Sequence, residues 1–411
     1  MQGVILAAGK GSRLHPITLR RSKAMVPVLG QPLVERVMED LHANGVNDFI
    51  LVVSPGDRDI QRYFRFESKL AADVRFVYQT DRLGMADALR KAVPLIDDDF
   101  VLSACDNLTS ADYVGQMIAA WQREPRPSAV LSLMPVSRDR ISSTGIVELD
   151  GEWVTRIVEK PTPEEAPSNV SSLPLYCFGR AFLDYLPEIE LSPRGEYELQ
   201  DGIQTLIERA GSVRGVFVER RLTVTGPADL LSINRHYLLS GDDRPQLAPY
   251  TVGPNTRLVT PLRIESGVVI GADCTIGPNV YIERDCQIGT GAYIRDAVVL
   301  RGAQVPASSR IVDQVISCAG PARMARVDGG GCALPPSFLS WPRSPSLFPS
   351  CCAGGSTGAT SRASTPSKRR PRGAWRSSLA QASAAMGAPS LPSLTVCGQL
   401  PNSIRPARCR S

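Results

Sequence analysis

Between Val252 and Leu300 an aliphatic residue returns at every sixth position without a miss: Val252, Leu258, Ile264, Ile270, Ile276, Ile282, Ile288, Ile294 and Leu300. An α-helix repeats at 3.6 residues and cannot hold a strict six-residue period on one face. A fixed repeat of this length instead describes short strands joined by turns and stacked coil on coil, a parallel β-helix. Glycine often follows the aliphatic position, as in Ile270-Gly271, Ile276-Gly277 and Ile288-Gly289. Four residues after each stands, in most cases, a small or branched side chain, among them Val268, Cys274, Val280, Cys286, Ala292 and Val298. Each coil must stack its aliphatic ring on the next, which assigns Cys274 and Cys286 to packing. The hexads amount to about three coils.

The chain before this repeat follows another pattern. Val4-Ile5-Leu6-Ala7-Ala8 is an apolar run that breaks into Gly9-Lys10-Gly11-Ser12-Arg13, a buried strand opening into a loop whose backbone N–H groups can line an anion site. A dinucleotide fingerprint would need glycine at Leu14, and a P-loop would need Ser or Thr at Gly11, so both are excluded. Residues 32–44 carry Leu33, Val37 and Leu41 at helical spacing, with proline at the start and Gly45 just past the end. Residues 49–53, 74–79, 100–104 and 128–136 read as strands, and 146–158 as a hairpin about Asp150-Gly151. Alternating strands and helices predict an α/β fold with a mostly parallel sheet, ligands gathering at the carboxyl ends of its strands. Residues 227–239 read as a closing helix.

The opening string L-A-A-G-x-G-x-R-L-x-P-x-T, followed by Lys23 in S-K-A-M-V-P-V and by Gln31-Pro32, resembles the signature of sugar-1-phosphate nucleotidyltransferases. Further segments match in the same order: Gln79 to Leu89 with Gly84, Asp106-Asn107, Thr144-Gly145-Ile146-Val147, Glu159-Lys160-Pro161, and Arg194-Gly195-Glu196. The resemblance implies a Rossmann-like nucleotidyltransferase domain over residues 1–240. It implies that Leu6, Ala7, Ala8, Gly9, Gly11, Gln79 and Gly84 bind the nucleotide. Gly145, Glu159, Lys160 and Glu196 would bind the sugar phosphate, Asp106 would bind Mg²⁺, and Arg13, Lys23 and Lys160 would act in catalysis. The implied reaction is attack by a sugar-1-phosphate oxygen on the α-phosphorus of UTP or dTTP, with glucose-1-phosphate and N-acetylglucosamine-1-phosphate both open as acceptors. Gln suits uracil or thymine because its amide offers a donor and an acceptor. Three positions depart from the pattern: Ser22 and Cys105 replace a proline and a glycine, and Thr223 stands where the second metal-binding aspartate belongs. Thr223 keeps open a non-catalytic regulatory or assembly paralogue.

The repeat, at residues 250–317, resembles the left-handed form of the β-helix with three hexads per coil. In bifunctional relatives such a helix carries an acyltransferase that uses a catalytic histidine, but the histidines here are His15, His42 and His236, all before the repeat. The repeat is therefore read as structural and as a surface for homo-oligomer formation, with a truncated bifunctional enzyme as the other reading.

The formal charge of +5 hides an asymmetry, since 12 of the 46 basic residues but one of the 41 acidic ones lie beyond 318. The body carries a net charge of −6, which gives no reason to expect nucleic acid as a partner. Residues 318–411 are rich in Ser, Pro, Arg and Cys with no hydrophobic period, the composition of a disordered tail or of a frame-shifted one. No zinc-type cysteine spacing, signal peptide or membrane-spanning run is evident, and a cytoplasmic protein is expected.

Overall fold

The computed structural model describes residues 1–241 and 249–322. The predicted end of the first domain about 242–245, and the predicted tail from 323 onward, lie outside the described residues. Through residue 240 the elements run β1 (Gln2–Leu6), β2 (Pro27–Val28), β3 (Gln31–Pro32), α1 (Leu33–His42), β4 (Asp48–Val53), α2 (Arg58–Phe66), β5 (Asp73–Tyr78) and α3 (Met85–Ala92). They continue with β6 (Phe100–Ala104), α4 (Ala111–Gln122), β7 (Ala129–Pro135), β8 (Gly145–Asp150), β9 (Trp153–Glu159), β10 (Val170–Phe178), α5 (Leu199–Ala210), β11 (Val213–Phe217) and α6 (Pro227–Ser240).

Nine strands form one sheet in the order β5-β4-β1-β6-β10-β7-β11-β9-β8. Strands β5, β4, β1 and β6 are parallel, as the alternation predicts. Beyond β6 the prediction of a mostly parallel sheet is corrected. Strand β10 lies antiparallel between β6 and β7, and the β8–β9 hairpin adds antiparallel pairs, leaving β7–β11 as the parallel pairing there. The cause is local. A tight hairpin about Gly151 (φ 62°) reverses the chain, and β10 returns beside it with its register broken between Leu173 and Tyr176, where Pro174 cannot donate to the ladder.

Successive residues of the central strands enter opposite cores. Ile5, Leu51, Val101 and Cys177 pack on one face, and Val4, Ile50, Leu102 and Phe178 on the other. Burial on both faces explains why these strands read as unbroken apolar runs.

In the repeat, short strands pair in parallel with the residue one coil away. Thr251 faces Val269, which faces Gln287; Arg257 faces Thr275, which faces Tyr293. That 18-residue step is three hexads. Corners are turned in the left-handed backbone region by Asn255, Asp273 and Ser308 on one edge and by Asn279, Asp296 and Asp313 on another, largely the residue types that tolerate it. Side chains of adjacent corners also join, Asn279 Nδ2 donating to Asp296 Oδ1 at 2.7 Å.

Two readings of the repeat are corrected. The step shortens to 17 residues at Asp296, so Val280 and Ile282 face Ala297 and Val299. Val299 therefore continues the inner aliphatic ring, while Val298 and Leu300 turn outward and pack with Tyr281 and Val315 into the core shared with α6. The six-residue period in the sequence breaks after Val305-Pro306, but the slip in register occurs here instead. Val252, on the edge strand of its sheet among the described residues, is 37% exposed. A strand runs over Arg310–Ser317, and Gly320–Pro321 pairs back on it, so ordered pairing runs past 318. Arg21 Nη1 meets Glu283 at 2.9 Å, tying the repeat to the segment that follows the glycine loop.

Candidate active site

The parallel ladder sets the geometry. Leu6 pairs with Ala104, so β1 and β6 end side by side, and the loop from Ala7 starts next to Asp106. Gly11 has φ 62°, and a β-carbon there would sit 3.0 Å from Lys23 Cβ, so glycine lets the loop close on the lysine. Lys23 Nζ lies 2.5 Å from Asp106 Oδ2. A second pairing brings in the chain after β11: Leu108 and Leu222 exchange backbone hydrogen bonds of 3.0 and 2.8 Å. It places Thr223 Oγ1 to donate to Asp106 Oδ2 at 2.7 Å, and Arg221 Nε to donate to Asn107 Oδ1 at 2.6 Å.

The hairpin supplies the opposite wall. Gly145 pairs with Glu159 across β8 and β9, and Lys160 N donates to Thr144 O. Lys160 Nζ stands 3.1 Å from Glu159 Oε1, while Glu159 Oε2 is buried without a hydrogen-bond partner. Burial, the largest effect, raises the Glu159 pKa and the Lys160 charge opposes it. An unpartnered buried acceptor asks for a donor such as a hydroxyl.

Between these walls lies a cavity of about 560 Å³, bordered by Arg13, Asp106, Gly145, Glu159 and Lys160. A neighbouring cavity of about 590 Å³ is bordered by Ala7, Gly9, Lys10 and Arg82. Arg82, absent from the sequence-derived set, donates through Nε to Ala8 O at 2.7 Å and fastens its own segment across the glycine loop.

Gln79, Gly84 and Glu196 do not border the first cavity. They form a cluster at the start of α3, where a β-carbon on Gly84 (φ 98°) would lie 2.6 Å from Tyr197 O and 3.1 Å from Glu196 Cβ. Gln79 is buried, with Nε2 committed to Gly84 O at 3.1 Å and Asp87 Oδ2 at 2.9 Å. Its carbonyl oxygen remains to accept from a base N–H.

Both side-chain bonds to Asp106 fall on Oδ2, which leaves Oδ1 available to a cation. Among the described residues no group of three or more His, Cys, Asp or Glu could hold a metal. The residues fit a magnesium ion that Asp106 would hold as the one protein carboxylate and that would neutralise phosphate charge. Cys105, buried beside Asp106, has its thiol pKa pushed up to about 12 by burial and is packing material.

Sequence reasoning also passed over Arg140 and Arg221, which both border the cavity. Arg221 stands two positions before Thr223, one of the departures from the family pattern, and Arg140 lies in no motif.

The family model described as "Nucleotidyl transferase" matches residues 2–221, and one described as "GMPPB C-terminal domain" matches residues 258–327. The low-salt glycan biosynthesis nucleotidyltransferase Agl11 of Haloferax volcanii is 32% identical over 239 residues, covering 57% of this chain and 65% of that protein. The UTP–glucose-1-phosphate uridylyltransferase AglF of the same organism is 32% identical over 231 residues, covering 56% of this chain and 93% of that protein. The solved structure of a UDP-glucose pyrophosphorylase complexed with UDP-glucose superposes with a TM-score of 0.54 at 20% identity, over 58% of this chain and 98% of that one, a likeness of fold. The chain spans about two thirds of the length of Agl11 and nearly all of AglF. No helix among the described residues is long and apolar enough to cross a membrane.

Proposed function

The chain belongs to the nucleotidyl transferase family, and from that premise we propose that it joins a nucleoside triphosphate to a sugar-1-phosphate, releasing pyrophosphate. The observation that carries this reading is the single cavity bordered by Arg13 and Asp106 on one side and by Gly145, Glu159 and Lys160 on the other. One wall suits phosphates and the other a sugar phosphate. Lys160 holds the attacking phosphate as a point charge, and Glu159 Oε2 accepts a sugar hydroxyl. Lys23 and the loop N–H groups hold the nucleotide, and Arg13 takes the charge that grows on the leaving pyrophosphate. The reaction needs in-line positioning and no covalent intermediate. Mg²⁺ at Asp106, when bound, supplies further neutralisation of phosphate charge.

Gln79 and Gly84 sit at the base in this proposal, and UTP and dTTP are its donors. Glu196, beside Gly84, reaches the sugar hydroxyls. Residues 1–240 are the transferase domain and 250–317 a left-handed β-helix that serves as scaffold and oligomer surface. Cys105, Cys177, Cys274 and Cys286 are buried free thiols, which suits a reducing, cytoplasmic setting.

A second reading, a paralogue that binds nucleotide-sugars without turnover, draws support from the neutral Thr223 beside Asp106. Pyrophosphate release with Mg²⁺, several triphosphates and several sugar phosphates separates the two. Release that requires both substrates supports the enzyme. Silence across the panel from folded protein leaves the paralogue.

A further inference from the structure

Three guanidinium groups on the cavity wall have no carboxylate partner among the described residues. Six charged side chains border the cavity, Arg13, Arg140, Lys160 and Arg221 against Asp106 and Glu159. Both acids are already neutralised, Asp106 by Lys23 and Glu159 by Lys160. Arg13, Arg140 and Arg221 form no ion pair with any described residue.

Arg221 is the one held in place. Backbone bonds between Leu108 and Leu222 fix its segment, and its Nε is spent on Asn107 Oδ1. The two terminal nitrogens take no hydrogen-bond partner among the described residues and belong to a side chain on the cavity wall. Burial pushes the Arg221 pKa down, Asp106 pulls it up, and the like charge of Arg140 lowers it again. Such a pair of guanidiniums costs free energy that an anion between them would offset. Next to this fork Thr223 presents a hydroxyl, so no second carboxylate is there to gather a cation beside Asp106.

Resting on the functional reading above, we propose that Arg221 is a phosphate-binding residue of the site. Its guanidinium fork takes phosphate oxygens directly, so that phosphate-bearing substrates bind with no divalent ion present. The geometry favours arginine because a planar fork fixed through Nε presents two parallel donors, which a lysine point charge cannot reproduce.

The probe is inorganic pyrophosphate, titrated calorimetrically into the full chain in excess EDTA. The wild type binds it, Arg221→Gln binds it about tenfold to a hundredfold more weakly, the factor for a charged two-donor contact, and Arg221→Lys falls between. Thermal melting accompanies each variant; should Arg221→Gln fail to fold, the Arg221→Lys titration decides. Parallel titrations with UTP and with glucose 1-phosphate identify the substrate phosphate by which one weakens with pyrophosphate. Failure of the wild type to bind pyrophosphate in EDTA overturns the inference, as do folded variants that bind within twofold of it. The transferase reading is tested apart from this. If pyrophosphate binding depends on Arg221 but no nucleotide-sugar forms with Mg²⁺, the anion site stands and the activity does not.

Discussion

Replacing Lys160 by methionine removes a charge and keeps most of the side chain's bulk. The ammonium is 3.1 Å from Glu159 Oε1, in a pair whose side chains are 34% and 10% exposed. A sugar phosphate in the cavity would meet that ammonium at about 4 Å, where two unit charges at an effective dielectric near 20 attract by about 4 kcal/mol. Part of this is lost to solvent at the half-exposed lysine, leaving about 2–3 kcal/mol, a rise in KM for the sugar phosphate of roughly 30-fold to 150-fold. The variant also leaves Glu159 alone, so its pKa, already raised by burial, rises further. Folding is followed separately by thermal melting, because leaving the largely buried Glu159 without its cation costs about 1–3 kcal/mol. Steady-state kinetics with each substrate varied in turn reads the result. The KM for the nucleoside triphosphate should stay within about threefold, the tolerance set by context-dependent side effects of a surface change. An unchanged KM for the sugar phosphate, or an equal loss for both substrates, would refute the assignment of Lys160 to the sugar side.

Gly84→Ala should destabilise the protein by about 2–4 kcal/mol, since the new β-carbon falls 2.6 Å from Tyr197 O at a φ of 98°; denaturant unfolding checks it, and a loss under about 1 kcal/mol would mean the segment gives way easily. Asp40 has its pKa raised to about 6, chiefly by burial and then by Glu39, against the pull of Arg36. A raised carboxyl pKa stabilises the fold below 3.8 and loses that contribution as pH climbs through about 6. Asp40→Asn should therefore flatten the fall in melting temperature between pH 4 and about 6.5 and gain about 1–2 kcal/mol at pH 7.5 after allowance for screening. A parallel wild-type and variant profile would contradict this.

The parallel half of the sheet was legible because β1, β4 and β6 are buried on both faces and so are continuous apolar runs. Strand β10 was not recognised: V-S-S-L-P-L-Y-C-F holds two serines and a proline, and its place is decided by pairing with strands far away in sequence. In the repeat the period located the coils, but a single missing residue at Asp296 exchanged the inner and outer roles of Val298, Val299 and Leu300. No composition signal marks a one-residue slip; the shared core with α6 absorbs it. In the candidate site, motif order singled out Lys23 and Asp106, and Glu159 and Lys160, two pairs whose side chains meet in the fold. Arg82, Arg140 and Arg221 escaped because their significance lies in what they face, which a loop arginine does not announce.

The central claim is that a sugar-phosphate oxygen attacks the α-phosphorus and pyrophosphate departs. Glucose 1-phosphate carrying ¹⁸O in its non-bridging phosphate oxygens, incubated with UTP, Mg²⁺ and the full chain, tests it by mass spectrometry of both products. The account predicts that the label is retained whole in a UDP-sugar and that the pyrophosphate is unlabelled. Label in the pyrophosphate, or a doubly phosphorylated sugar in place of the UDP-sugar, would contradict it.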